Sequence, residues 1–219
     1  MSQVNEYDQF TVTIKQTLSN DGELAGAIFL ILSAQFMTAI MLAAAIAPDY
    51  DFGAAAISDL GVIAETALLF NVSLAVVGVL NILAGYLFYR AHGKRWLLTV
   101  FTLAGIGALG AAAFPLDTGG LHSLFALMAF VFFNLEAIGS ASWLSGMMRA
   151  VSILAGVVGL VFIVLMILGD AGNIAAFGPI NHGGTERMMV YPVMIWMIAL
   201  AGYLLGISSR PDATIQSND

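Results

Sequence analysis

The chain has 219 residues, 60% of them hydrophobic and only 10% charged, with a net charge of −7. Soluble globular chains carry about 25% charged residues, so this composition excludes an ordinary water-soluble domain. The lack of cysteine excludes disulfides, thiolate metal sites and cysteine nucleophiles.

Several apolar runs reach the roughly 20 residues needed to cross a bilayer. They are continuous rather than alternating, so they read as helices and not as barrel strands. The expected fold is all-α, a polytopic membrane protein built as a six-transmembrane-helix bundle. Residues 1–22 read as a polar N-terminal tail, residues 23–207 as a single transmembrane domain, and residues 208–219 as a polar C-terminal tail. The N-terminal tail has no basic start and no small-residue cleavage site, so the first span is expected to be retained.

The first span, 24–47, ends at the turn-rich Pro48-Asp49-Tyr50-Asp51-Phe52-Gly53. Residues 54–61 form a short element suited to the membrane surface. The second span, 62–89, contains Glu65, Asn71 and Asn81. A basic loop at 90–95 follows, in which His92 reads as a solvated residue. The third span, 96–114, runs into a polar knot, Phe114-Pro115-Leu116-Asp117-Thr118-Gly119-Gly120-Leu121-His122. There Pro115 and the glycine pair stop one helix and let the next begin. The fourth span, 121–144, carries Asn134 and Glu136, and His122 and Glu136 are close to four helical turns apart on one face. The fifth span is 151–169. A Gly/Asn/Pro-rich loop at 170–187 precedes the sixth span, 188–207. Gly78, Gly85, Gly105, Gly107, Gly110, Gly156 and Gly159 read as close-packing positions between helices. Trp96, Trp143, Trp196, Tyr86 and Tyr89 read as interfacial anchors.

Six spans place both termini on one side. Lys15, Arg90, Lys94, Arg95, Arg149 and Arg210 fall on that side and Arg187 alone on the other. The positive-inside rule makes both termini cytoplasmic, in the cell membrane. Ser58, Asp59, Asp117, His122, Asp170, Asn173, His182, Glu186 and Arg187 then share the outward face. The basic residues are few and follow this pattern, so nothing points to nucleic acid. The acidic, lysine-poor composition fits a high-salt cytoplasm, and an acidic N-terminal tail accounts for it equally well.

Asp59, Asp117, His122 and His182 have the ligand chemistry of a divalent metal site, although without a local His pair. Ser58 and Asp59 also suit helix capping, and Ser58 a nucleophile with His122 as base. Asp117 suits a cap of the fourth helix. Arg187, the lone outward cation, suits pairing with Asp59 or with a phosphate. Glu65 and Glu136 read as buried polar groups, serving either interhelical bonding or transport.

The order Ile57-Ser58-Asp59-Leu60-Gly61, Phe70-Asn71-Val72-Ser73-Leu74, Gly107-Ala108-Leu109-Gly110, Phe114-Pro115, His122-Ser123-Leu124-Phe125-Ala126, Phe130, Glu186-Arg187, Tyr191-Pro192 and Trp196 resembles a prokaryotic membrane family. This is the domain of unknown function nine-nine-eight, and the likeness covers about residues 45–206. Its first two blocks are distantly similar to the damage-regulated autophagy modulators and the proteins that remodel GPI-anchor lipid. Leu60 stands where that larger group often has Thr, and the sixth-span block differs. The resemblance implies six helices, matched positions at Asp59, Asn71 and His122, and a lipid-related role. The expected function is an outward-facing Asp/His pocket that binds a lipid headgroup or amphiphile. Ser58, Asp59, Asn71, Asp117, His122, His182, Glu186 and Arg187 would contact it, with membrane lipids as partners. A metal-dependent membrane hydrolase using the same cluster and an ion- or proton-coupled transporter are the alternatives.

Overall fold

Hydrocarbon offers backbone polar groups no water, so each apolar run satisfies them internally by coiling into helix. The computed structural model describes the backbone of residues 4–208 and the side chains of residues 20–206. It has six long helices: α1 (Val4–Ile46), α2 (Ala67–His92), α3 (Arg95–Ala113), α4 (Gly120–Ser140), α5 (Gly146–Asp170) and α6 (Asn181–Ser208). Short 3-10 turns occupy 58–61, 116–118 and 174–180, and no strand occurs among the described residues. All six helices are long and apolar enough to cross a membrane, in α1 over Asn20–Ile46. This is a multi-pass, all-α membrane protein, as the apolar runs indicate. The backbone of α1 is already helical from Val4, through most of the segment read as a tail. The side chain of Lys15, all of Arg210 and residues 209–219 lie outside the described residues.

Each helix packs on the next in sequence, α6 returns to α1, and α4 also touches α6. The six helices therefore close into a ring. Large apolar side chains such as Leu68, Leu124 and Leu154 stay exposed on its outer wall, where a membrane would cover them. Glycine lets the backbones approach inside the wall. A Cβ on Gly78 would stand 2.7 Å from the Gly105 carbonyl, and one on Gly105 2.6 Å from the Gly78 carbonyl, so α2 and α3 touch main chain to main chain. Gly107 is equally close to Ala129 of α4. The connections at 47–66, 114–119 and 171–180 gather at one end, the lid end. Those at 93–94 and 141–145 lie at the opposite, basic end, where Arg90 pairs with Asp21 at 3.1 Å and ties α2 to α1.

Two boundaries differ from the sequence reading. The second helix begins at Ala67, not 62, because Thr66 turns its hydroxyl back to the Leu60 carbonyl at 2.8 Å and completes a compact turn first. Glu65 lies in that turn and is exposed rather than buried. The sixth helix begins at Asn181, so His182, Glu186 and Arg187 sit on its first two turns instead of in a loop. Two aromatic readings are also corrected. Trp196 is fully buried midway along α6, donating its indole N–H to Ser152 at 2.6 Å. His92 is the last residue of α2 and stacks on Trp143, with ring centroids 3.8 Å apart, rather than standing in solvent.

Candidate functional site

The 47–66 connection tucks into the ring instead of lying on the membrane surface. Ile57 and Leu60 are buried in the main core, which draws the loop inward. Two consecutive residues of α6 then hold it. Glu186, only 4% exposed, accepts the backbone N–H groups of Ile57 and Ser58. Arg187, 7% exposed, donates through one terminal nitrogen to the carbonyls of Phe52 (2.8 Å), Ala55 (3.0 Å) and Gly183 (2.8 Å). Its other terminal nitrogen donates to the Tyr50 hydroxyl at 2.7 Å. The guanidinium lies 4.5 Å from the Phe52 ring centroid and 5.5 Å from that of Tyr50, within cation–π range. Tyr50 donates onward to the Ala56 carbonyl at 2.6 Å. Burial pushes the Tyr50 phenol up to about 12 against the opposing pull of Arg187, so it remains a donor at neutral pH. Residues 50–58 are thus a strap across the end of the ring.

This assigns structural work to four residues expected at a ligand. Arg187 makes no ion pair among the described residues, and not with Asp59. Its charge is taken up by carbonyls and rings. Asp59 accepts the Ala56 N–H at 2.8 Å and staples its own turn. Asn71 donates to the Gly61 carbonyl at 2.8 Å and fixes the turn to α2. Ser58 does not cap its turn: Ile57 stands at the N-cap and makes no side-chain cap bond. Asp117 does not cap α4 either. It is exposed in the 116–118 turn, and Gly119, with φ 67°, occupies the cap position. That left-handed backbone suits glycine, as the knot requires.

Beneath the strap lie two joined chambers. The inner, about 60 Å³, is walled by α1, α2, α3, α4 and α6, including Phe36, Val77, Ala111, Phe133 and Met194. The outer, about 260 Å³, lies between α4, α5 and α6 and includes Leu127, Ile163, Ile167, Asp170 and His182. Ser58, His122, Ala126, Phe130, Glu186 and Met189 line both. Leu127 and Ile167 also belong to the exposed outer wall, so the outer chamber reaches the side of the bundle between α4 and α5. Lower down, α4 and α5 are held together where Gly156 and Gly159 meet Asn134 and Ile138.

His122 is 5% exposed and binds the Phe114 carbonyl through Nδ1 at 2.8 Å. A carbonyl accepts only, so Nδ1 carries a proton and donates this bond, which leaves Nε2 for another partner. His182 Nε2 lies 3.3 Å from Asp170 Oδ1, which joins α6 to α5. Of the residues singled out in the sequence, then, Ser58, His122 and Glu186 meet at the junction, and His182 lines the outer chamber. Asp59, Asn71, Asp117, Arg187 and Glu65 line neither. Asp170 is the acidic contributor not counted among the ligand candidates. Its signal was an acid at the end of an apolar helix, twelve residues before a histidine.

The metal reading is corrected by this geometry. Among the described residues, no three His, Cys, Asp or Glu side chains are close enough to hold one ion, so Asp59, Asp117, His122 and His182 are not a ligand set. A separate polar node lies deeper. Glu136, fully buried, accepts from Asn81 at 2.6 Å, and Asn81 also donates to the Phe101 carbonyl at 3.0 Å. Asn81 Oδ1, Glu136 Oε2 and the Ser140 hydroxyl have no further partner among the described residues. The node lines neither chamber. With Glu65 exposed at the lid end, neither of the two acids proposed for transport lines a chamber, and no hydrogen bond among the described residues links them.

A family model described as protein of unknown function, DUF998, matches residues 30–203. The chain belongs to the DUF998 family. The match begins within α1, earlier than the resemblance covered, and takes in the strap, the chambers and the first turns of α6. No curated protein and no solved structure matches this DUF998 chain, and the wider likeness to the autophagy modulators gains no support from them.

Proposed function

We propose that this membrane protein binds an amphiphile at the lid end of the ring. Its polar group seats where Ser58, His122 and Glu186 meet, and its apolar part runs into the chambers and the cleft between α4 and α5. The observation that carries this reading is the joining of the two chambers at buried polar groups, with the outer one reaching the lipid-facing wall. Binding sites are concave, mostly apolar and furnished with a few placed polar groups, and this one has a side exit suited to a chain already dissolved in a membrane. The excess of Lys and Arg at the other end supports an extracytoplasmic site in the cell membrane.

The test is mass spectrometry of lipid retained by protein purified in mild detergent, for wild type, His122→Ala and Ala126→Trp. Ala126 lines both chambers, and tryptophan there fills them. Retention is expected to fall at least about tenfold in Ala126→Trp, equivalent to about 1.4 kcal/mol. His122→Ala is expected to change which lipid class is kept. A folded Ala126→Trp protein holding the same lipid in the same amount would sink the reading.

A further inference from the structure

The seven Lys and Arg residues of this chain determine the charge of the chambers by where they are not. Arg90, Lys94, Arg95 and Arg149 belong to the basic end. At the lid end Arg187 is the one Lys or Arg among the described residues, and every bond it makes goes to the strap, to its own helix or to Tyr50. No Lys or Arg lines either chamber. The outer chamber has two carboxylates instead. Glu186 stands at its inner limit, and Asp170, with a side chain 57% exposed, stands at its mouth with its Oδ1 3.3 Å from His182 Nε2. Between them, buried His122 has its Nδ1 committed to Phe114, and its Nε2 has no bond among the described residues.

The polar lining offers as acceptors two carboxyl groups and His122 Nε2, beside the hydroxyls of Ser58 and Ser123, while His182 Nε2 is turned to Asp170. A phosphate or carboxylate head would meet two acidic side chains and no guanidinium or ammonium to neutralise it, a costly arrangement in an apolar cavity. A primary ammonium has the opposite character, with three N–H donors and one positive charge. We infer that the polar end of the bound amphiphile is a cationic hydrogen-bond donor, a primary ammonium, held between Asp170 and the Glu186–His122 junction. This rests on the reading that the chambers bind an amphiphile, and it replaces the phosphate partner that Arg187 suggested in the sequence.

Titration calorimetry on the full chain in detergent, with dodecylamine, dodecanol and dodecyl phosphate, separates the two ideas. Dodecylamine is expected to bind at least about tenfold tighter than either other probe. The preference is expected to shrink in Asp170→Asn and return in Asp170→Glu, and all binding to fall in Ala126→Trp. Dodecanol binding as tightly as dodecylamine overturns the inference, because the charge is then not read. Dodecyl phosphate binding tightest, and still lost in Ala126→Trp, overturns the inference and leaves the amphiphile site standing. Affinities that Ala126→Trp leaves unchanged for all three probes overturn both.

Discussion

Glu186 and Arg187 are neighbours of opposite charge, yet neither neutralises the other. Each reaches across to main-chain groups 128 to 135 residues away in sequence, and Arg187 also to a phenol 137 residues away. Arg187 suits this work because a planar fork can serve several oxygens while its face lies against two rings. Lysine has one compact ammonium and no such face. Arg187→Lys is expected to lower stability by about 2–4 kcal/mol, read as an earlier thermal unfolding transition by circular dichroism in detergent. An unchanged melting temperature would show that the strap is not held this way. At this scale the sequence announces which residues matter better than what they do. His122, Glu186 and Arg187 stand out as polar groups beside long apolar runs. Their partners are carbonyls and N–H groups of Phe114, Ile57, Phe52 and Ala55, which no side-chain identity advertises.

The helices were legible because hydrophobic runs of bilayer length have one solution in lipid. Their ends were less so, and for opposite reasons. At α2 the apolar Val62 and Ile63 look like helix but belong to a turn closed by Thr66. At α6 the polar run from Asn181 to Arg187 looks like loop, yet it is helix, with Glu186 and Arg187 facing the strap and His182 facing Asp170 rather than lipid. Glycine positions were read correctly as contacts, and they separate by environment. Gly159 lies against the Asn134 side chain, whose amide bridges the carbonyls of Phe130 and Met189 at 2.8 and 3.0 Å. Gly202 has nothing near it. Gly159→Leu is expected to cost about 3 kcal/mol or more by forcing α4 from α5, and Gly202→Leu close to nothing. Equal melting temperatures for the two variants would contradict this packing.

Across the whole molecule, charge is the most asymmetric property. The described connections at the basic end hold Lys94 and, just past them, Arg95 and Arg149, whereas the lid end has Arg187 alone. A chain with no native cysteine makes the orientation simple to test. Asp117→Cys, exposed at the lid end, is expected to react with a membrane-impermeant maleimide in intact cells. Ser145→Cys, exposed at the basic end, is expected to react only after lysis. The reverse pattern would overturn the assignment. What composition could not show was the chamber pair, since it arises from six helices converging and from a loop that folds inward. Both depend on contacts between distant parts of the chain.

The strap is in the first connection of the chain, and the residues that fasten it are on the last helix. A ribosome finishes the strap long before it makes Glu186 and Arg187, so during synthesis the strap waits unfastened and the ring stays open. The sixth helix is thus a latch that can close the strap only after it has itself been made. A chain stopped before Asn181 is expected to be cut by protease within residues 50–58 where the 219-residue chain resists. Quality control that recognises an unlatched strap would thereby recognise any copy that lost its final span.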